Sequence, residues 1–197
     1  MKKNKPKYKQ IIEAAVVVIA KYGYHQAQVS KIAKQAGVAD GTIYLYFKNK
    51  EDILISVFQE KMGEIVEKIE GELKGKQSAT EKLKLLVDKH FDILSSDPNL
   101  AIVTQLELRQ SNKDLRLKIN EVLKRYLVVV DSILREGIEG GEFKADLNYK
   151  LARQMIFGTL DEVVTTWVMN EQKYALRDLS QQVHTLFIAG LSQGKKE

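Results

Sequence analysis

Residues 31–47, KIAKQAGVADGTIYLYF, decide the reading of this chain. Two short helical segments flank a glycine. In the first, Ile32, Ala33 and Ala36 share a face and can pack on a neighbouring helix. Gly37 follows, and a glycine there supplies the positive φ that a tight helix-to-helix turn requires. Val38 then plugs the angle between the helices. The second segment, from Asp40 to Phe47, spaces Ile43 and Phe47 four residues apart for burial and leaves Gly41, Thr42, Tyr44, Leu45 and Tyr46 to face outward. Two helices joined by such a turn form a helix-turn-helix, whose second helix is shaped to enter a DNA major groove.

Charge is concentrated around this motif. Residues 1–50 hold ten lysines against Glu13 and Asp40, a net of +8. The whole chain is +5, so residues 51–197 hold a net −3. A basic quarter on a mildly acidic body is an electrostatic address for a polyanion. A merely solubilising lysine tail is the weaker reading, because the charge coincides with the helix-turn-helix. The chain has no cysteine, which excludes disulfides and thiolate chemistry. No apolar run approaches bilayer length, and the lysine-rich start is not followed by a signal-peptide pattern. These features predict a cytoplasmic chain without a membrane partner.

Two prolines in 197 residues and continuous 3.6-residue periodicity predict an all-α fold. Helices are expected over Lys7–Lys21, ending at Gly23, then over Gln28–Ala36 and Asp40–Phe47. Another starts near Lys50, with an apolar stripe from Ile53 to Leu73. Ser78-Ala79-Thr80-Glu81 reads as a capping box ahead of Leu83–Leu94. Asp97-Pro98 marks a stop and restart, with Asp97 as cap of a helix running to Arg109. Ser111 and Asp114 are candidate caps for a long helix through Leu134, closed by Gly137–Gly141. Asp146 is the expected cap of a helix over Leu151–Val168, and a last one covers Leu179–Leu191. The predicted division is a three-helix domain over 1–50 and a helical bundle over 51–197, with frayed termini.

Catalytic patterns are missing. His25, His90 and His184 are far apart and lack metal-ligand spacing. Gly71–Lys76 departs from a phosphate-binding loop, with too few residues between its glycines and no Ser or Thr after the lysine. Asp161 and Glu162 point about 100° apart on a helix, which argues against a carboxylate dyad. The expectation is no enzyme, no metal and no cofactor.

The run Ala36-Gly37-Val38, Gly41-Thr42, Ile43-Tyr44-Leu45-Tyr46-Phe47 and Lys50 resembles the DNA-binding head of the tetracycline-repressor (TetR) family of bacterial transcription regulators. The apolar helix before it and the Tyr22-Gly23-Tyr24 break fit as well. The resemblance implies that Tyr46 and Lys50 grip phosphates and that the second helix adds contacts around Gln28 and Ser30. It makes Thr42, Tyr44 and Leu45 candidates for the DNA face, with Gly41 allowing close approach. For Tyr44 and Tyr46, packing within the head is the competing reading. Two departures stand out. Ala27-Gln28 replaces the usual Ser or Thr cap, and Asp40 would repel a close phosphate, so a capping role suits it better.

The resemblance also implies a symmetric homodimer on a palindromic operator, because one such head reads few base pairs. The helices over Leu151–Val168 and Leu179–Leu191 are the candidate seam. Completing a monomer core is the other use for them. Asn99–Asn112 and Leu151–Asn170 are similar to an acyl-CoA-responsive branch of that family, whose members govern fatty-acid degradation. Long-chain acyl-CoA is then the expected effector. Phe91, Leu94, Ile102, Leu106, Phe157, Leu160, Val163, Val164 and Trp167 are candidates to line an acyl chamber. Gln105, Arg109, Lys113 and Arg116 are candidates for the CoA moiety. Arg153 is expected to pair with Asp161 or Glu162. Ordinary core and a solvated charged turn are the bland readings of these two sets. The alternative function is a repressor of efflux or stress genes answering a different hydrophobic ligand, with Trp167, Glu107 and Glu162 as its walls.

Overall fold

Each predicted helix is present in the computed structural model, which describes residues 6–192. The lysine-rich start and the expected frayed ends, residues 1–5 and 193–197, lie outside the described residues. The order is α1 (Pro6–Gln26), α2 (Val29–Gln35), α3 (Asp40–Tyr44), α4 (Lys50–Leu73), α5 (Ala79–Ser96), α6 (Pro98–Glu107), α7 (Lys113–Glu139), α8 (Tyr149–Met169), a 3-10 turn (Leu176–Leu179) and α9 (Ser180–Leu191). The fold is all-α. The chain forms two compact units, Met1–Gly63 with Pro98–Val122, and Glu64–Asp97 with Leu123–Glu197. Helices α4 and α7 therefore each contribute residues to both.

In the first unit α1 packs on α2 and α6, and α2 packs on α3. Ile11, Ile12, Ala15 and Ile19 of α1 are buried, as are Ile32, Ala33, Ile43, Phe47, Ile53, Leu54, Leu100 and Val103. Burial of each Ile, Leu, Val and Phe among them contributes about 1.5–3 kcal/mol before conformational entropy is charged, and of each Ala less. Gly23 sits at φ 71° and ψ 155°, so the chain breaks there and resumes one more helical turn, Tyr24–Gln26. Gly37, at φ 62°, makes the predicted turn between α2 and α3.

In the second unit α5 packs against α8, α9 and the 3-10 turn. Its buried face is Leu83, Leu86, Val87, His90, Phe91 and Leu94. The Ser78–Glu81 capping box forms as expected.

Several local expectations need correction. Helix α3 is shorter than Asp40–Phe47, although the Phe47 N–H still bonds to the Ile43 carbonyl at 3.0 Å and its ring stays buried. Ala39 occupies the cap position of α3, so Asp40 lies in the first turn, where the helix dipole favours a carboxylate. The cap of α7 is Asn112, whose side chain accepts from the Leu115 N–H at 2.9 Å, rather than Ser111 or Asp114. The cap of α8 is Asn148 rather than Asp146, accepting from Leu151 at 3.2 Å. In both places the acceptor three residues ahead of the N–H takes the role, as capping geometry demands. Arg153 pairs with Asp131 of α7 at 2.8 Å, a partner the sequence did not suggest.

Candidate nucleic-acid interface and effector-responsive body

The outer face of α3 is small and polar-aromatic. Gly41 is exposed, Tyr44 is 58% exposed and Leu45 is 64% exposed, while Thr42 and Tyr46 are half-buried. Ile43 and Phe47 supply the inner face, so the outer residues are held on a short, well-anchored turn. Tyr8 stacks on Phe47 with ring centroids 5.2 Å apart, and Tyr46 lies 6.4 Å from both rings. Burial raises the Tyr8 hydroxyl pKa. Gln10 donates to the Ala36 carbonyl at 2.8 Å and closes the end of α2. Gln28 is the cap residue of α2 and makes no side-chain capping bond, so its amide is exposed along with Ser30. Lys7, Lys9, Lys21, Lys34 and Lys48 are exposed in the same unit.

Lys50 has a structural task. Its ammonium donates to the carbonyls of Tyr24 at 3.0 Å and His25 at 2.9 Å, and sits 4.7 Å from the Tyr24 ring centroid. A cation at a helix C-terminus neutralises unpaired carbonyls and the dipole together. An ammonium has three donors, and these two carbonyls take two of them. Tyr24 is buried, and burial next to Glu51 and Glu107 pushes its hydroxyl pKa up to about 12. Glu107, on α6, accepts from the Tyr24 backbone N–H at 2.8 Å and from the Gln110 side chain at 2.6 Å. This contact joins residues 83 apart, and no local pattern could have signalled it.

The CoA candidates gather at the α6–α7 turn of the first unit. Arg109 and Lys113 are exposed and Gln105 is buried. Arg116 donates to the carbonyls of Gln110 at 2.9 Å and Ser111 at 3.3 Å, bracing the turn. Of the acyl-chamber candidates, Ile102 and Leu106 also belong to this unit, half-buried and exposed respectively. The others belong to the second unit, where Phe91, Leu94, Leu160, Val164 and Trp167 are buried and Phe157 and Val163 half-buried. The Trp167 indole N–H donates to the Tyr174 carbonyl at 2.8 Å, which fixes the ring. A surface cleft of about 530 Å³ in this unit is walled by Lys84, Asp88, Lys89, Asp92, Arg177 and Ser180. Its walls carry the ion pairs Lys84–Asp88, Lys89–Glu72 and Arg177–Asp92, and suit water better than an alkyl chain.

His90 lies on the buried face of α5. Its Nδ1 lies 3.0 Å from the Tyr126 hydroxyl, both side chains being buried. Burial drives the imidazole pKa down to about 4, so the ring is neutral near pH 7.

Comparison with known proteins agrees with this architecture. Residues 11–57 match the bacterial regulatory proteins of the tetR family, and residues 58–190 match the C-terminal region of YsiA-like proteins. The chain belongs to the TetR family of transcription regulators. It is 66% identical over 191 residues to the fatty acid metabolism regulator protein of Bacillus subtilis strain 168, covering 97% of this chain and 98% of that protein. The TetR fold is matched at TM-score 0.91 by the crystal structure of the transcriptional regulator FadR from Bacillus subtilis in complex with stearoyl-CoA. Identity there is 67%, with 93% of this chain and 98% of that one covered. The fatty acid degradation regulator FadR from Bacillus halodurans matches at TM-score 0.91 and 65% identity, over 93% and 99% of the two chains.

A TetR-family chain regulates transcription by binding DNA and is not an enzyme. Among the described residues no cluster of His, Asp and Glu could hold a metal, and no helix is long and apolar enough to cross a membrane.

Proposed function

We propose that this chain is a cytoplasmic, homodimeric repressor that binds a palindromic operator and is released by long-chain acyl-CoA, controlling fatty-acid-degradation genes. The observation that carries the reading is the 66% identity, over nearly the full length, to a fatty acid metabolism regulator. The likeness to FadR in complex with stearoyl-CoA supports the effector.

In this reading residues 1–50 are the DNA-binding head and residues 51–197 the effector-binding and dimerising body. Phosphate contacts set affinity and register, and base-edge contacts set sequence preference. Tyr46, Lys50, Gln28 and Ser30 hold phosphates, Thr42 and Tyr44 meet bases, thymine methyls or nearby phosphates, Leu45 shares that DNA-facing side, and Gly41 lets the start of α3 approach the duplex closely. Phe91, Leu94, Ile102, Leu106, Phe157, Leu160, Val163, Val164 and Trp167 enclose the alkyl chain, and Gln105, Arg109, Lys113 and Arg116 meet the CoA. Apolar side chains left exposed on α8 and α9, Leu151, Met169 and Leu186 among them, support a seam between two copies.

Release requires that acyl-CoA bind the DNA-incompetent arrangement more tightly than the competent one, since only differential affinity shifts an equilibrium. Helix α4 starts at Lys50, beside the head's last residues, and continues into the body, so it is the element suited to couple the two.

The test uses an operator selected from a random duplex library. Binding should weaken by orders of magnitude between low and moderate salt. Stearoyl-CoA should release the operator, while free CoA and stearate should not. Release by a planar or cationic drug with indifference to stearoyl-CoA would replace this reading with an efflux or stress regulator.

A further inference from the structure

His90 is the one histidine of the second unit with both ring edges inside the core, and only one edge is satisfied. Nδ1 meets the Tyr126 hydroxyl at 3.0 Å. Nε2 is buried and, among the described residues, has no hydrogen-bond partner. A buried polar atom left in this condition costs about 1–3 kcal/mol, so a partner for it is worth supplying. Its surroundings are aromatic. The Phe91 ring centroid is 6.0 Å from that of His90, the Tyr126 centroid is 5.7 Å away, and Phe157 packs edge-on against Tyr126 at 6.0 Å. Phe91 and Phe157 are two of the residues assigned above to the alkyl chain.

We propose that His90 Nε2 donates a hydrogen bond to the thioester carbonyl of the bound acyl-CoA, with Tyr126 as the positioning residue that fixes the ring. This rests on the acyl-CoA reading above and deepens it. In this arrangement the Tyr126 hydroxyl is the donor to Nδ1, and the neutral ring carries its proton on Nε2. A neutral donor suits a neutral carbonyl. A free carboxylate at the same place would bring an uncompensated charge into an apolar, aromatic site, where burial is costly. The pair thus separates thioesters from free fatty acids by chemistry.

The test compares stearoyl-CoA with S-octadecyl-CoA, the thioether that lacks only the carbonyl oxygen. Affinity is read with the full chain by calorimetry and by operator release. The wild-type protein should prefer the thioester by roughly three- to tenfold, the worth of one net buried hydrogen bond. His90→Phe should bind the two ligands equally. Tyr126→Phe should narrow the preference while keeping the imidazole. In ¹⁵N spectra of ring-labelled wild-type protein, the His90 Nε2 resonance should shift with the thioester more than with the thioether, a change that a purely structural histidine would not make. Equal wild-type affinity for both ligands, or a preference that survives in His90→Phe, would overturn the proposal. If wild-type protein bound neither CoA derivative, it is the acyl-CoA reading itself that would fall.

Discussion

The Glu107 carboxylate accepts the backbone N–H of Tyr24 at 2.8 Å, directly after the left-handed Gly23. The break at Gly23 leaves that N–H without an intrahelical acceptor, and α6 supplies one. Glu107→Ala should therefore loosen the end of α1. A half-exposed, charge-assisted hydrogen bond of this kind is worth about 1 kcal/mol, equivalent to a fall in Tm of a few degrees. Glu107→Gln retains an acceptor oxygen and should lie between the two. A thermal melt of the three proteins decides, and an alanine variant as stable as the wild type would show that the contact contributes nothing.

Tyr44 and Lys50 separate DNA contact from stability. Tyr44 is 58% exposed on α3, so Tyr44→Ala should leave Tm unchanged and weaken operator binding by about tenfold, the scale of one lost base contact. Lys50 ties the start of α4 to the Tyr24 and His25 carbonyls, so Lys50→Ala should lower both Tm and operator affinity. Its loss of affinity should shrink as salt rises, in keeping with a phosphate contact. Operator binding unchanged in both variants would remove α3 and Lys50 from the interface.

Gly137 is required by packing. A Cβ built there would stand 2.1 Å from Phe143 Cδ2, a ring with no exposed surface. The Phe143 N–H also bonds to the Gly137 carbonyl at 2.9 Å, so neither the ring nor the backbone can withdraw. Gly137→Ala should destabilise by at least the 1–3 kcal/mol typical of overpacking, read as a lower denaturant midpoint. Gly141→Ala tests a different cause. Its backbone sits at φ 73° in open space, so only backbone strain of about 1–2 kcal/mol is expected there.

Sequence made the helices legible because their apolar stripes repeat every 3.6 residues and their turns contain Gly37, Asp97-Pro98 and the Gly137–Gly141 cluster. It made the head legible because Ile43 and Phe47 declare an inner face, and so an outer one. Caps were harder. Ser111, Asn112 and Asp114 are all good capping residues, and only the path of the backbone selects Asn112. Contacts distant in sequence were out of reach. Nothing near Glu107, Lys50, His90 or Arg153 announces Tyr24, His25, Tyr126 or Asp131 as partners.

His90 makes stability depend on pH. Burial lowers its pKa from the ordinary 6.5 to about 4, so between those values the unfolded chain binds a proton that the native ring refuses. The stabilisation is fully present above pH 6.5 and is lost as pH falls towards 4, for a total on the order of 3 kcal/mol. His184 is shifted in the same direction, by burial foremost, and steepens the same limb. The His90→Phe variant isolates the share of His90, since its stability should fall less steeply than that of the wild type across this window. Parallel profiles in denaturant titrations would mean that the native imidazole titrates normally.

Leu186, 70% exposed on α9, and Leu151, 62% exposed on α8, test the proposed seam. A leucine this exposed contributes little to the fold of one copy, so a charge there should be tolerated in the monomer. Leu186→Glu and Leu151→Glu should keep the helical content of the wild type. They should shift the mass in light scattering from twice 22.4 kDa to one chain. Separating the heads removes the gain from engaging two half-sites at once, so operator affinity should drop by about a hundredfold or more. A variant that still runs at double mass would place the seam elsewhere. A monomer that kept full operator affinity would contradict recognition by two paired heads.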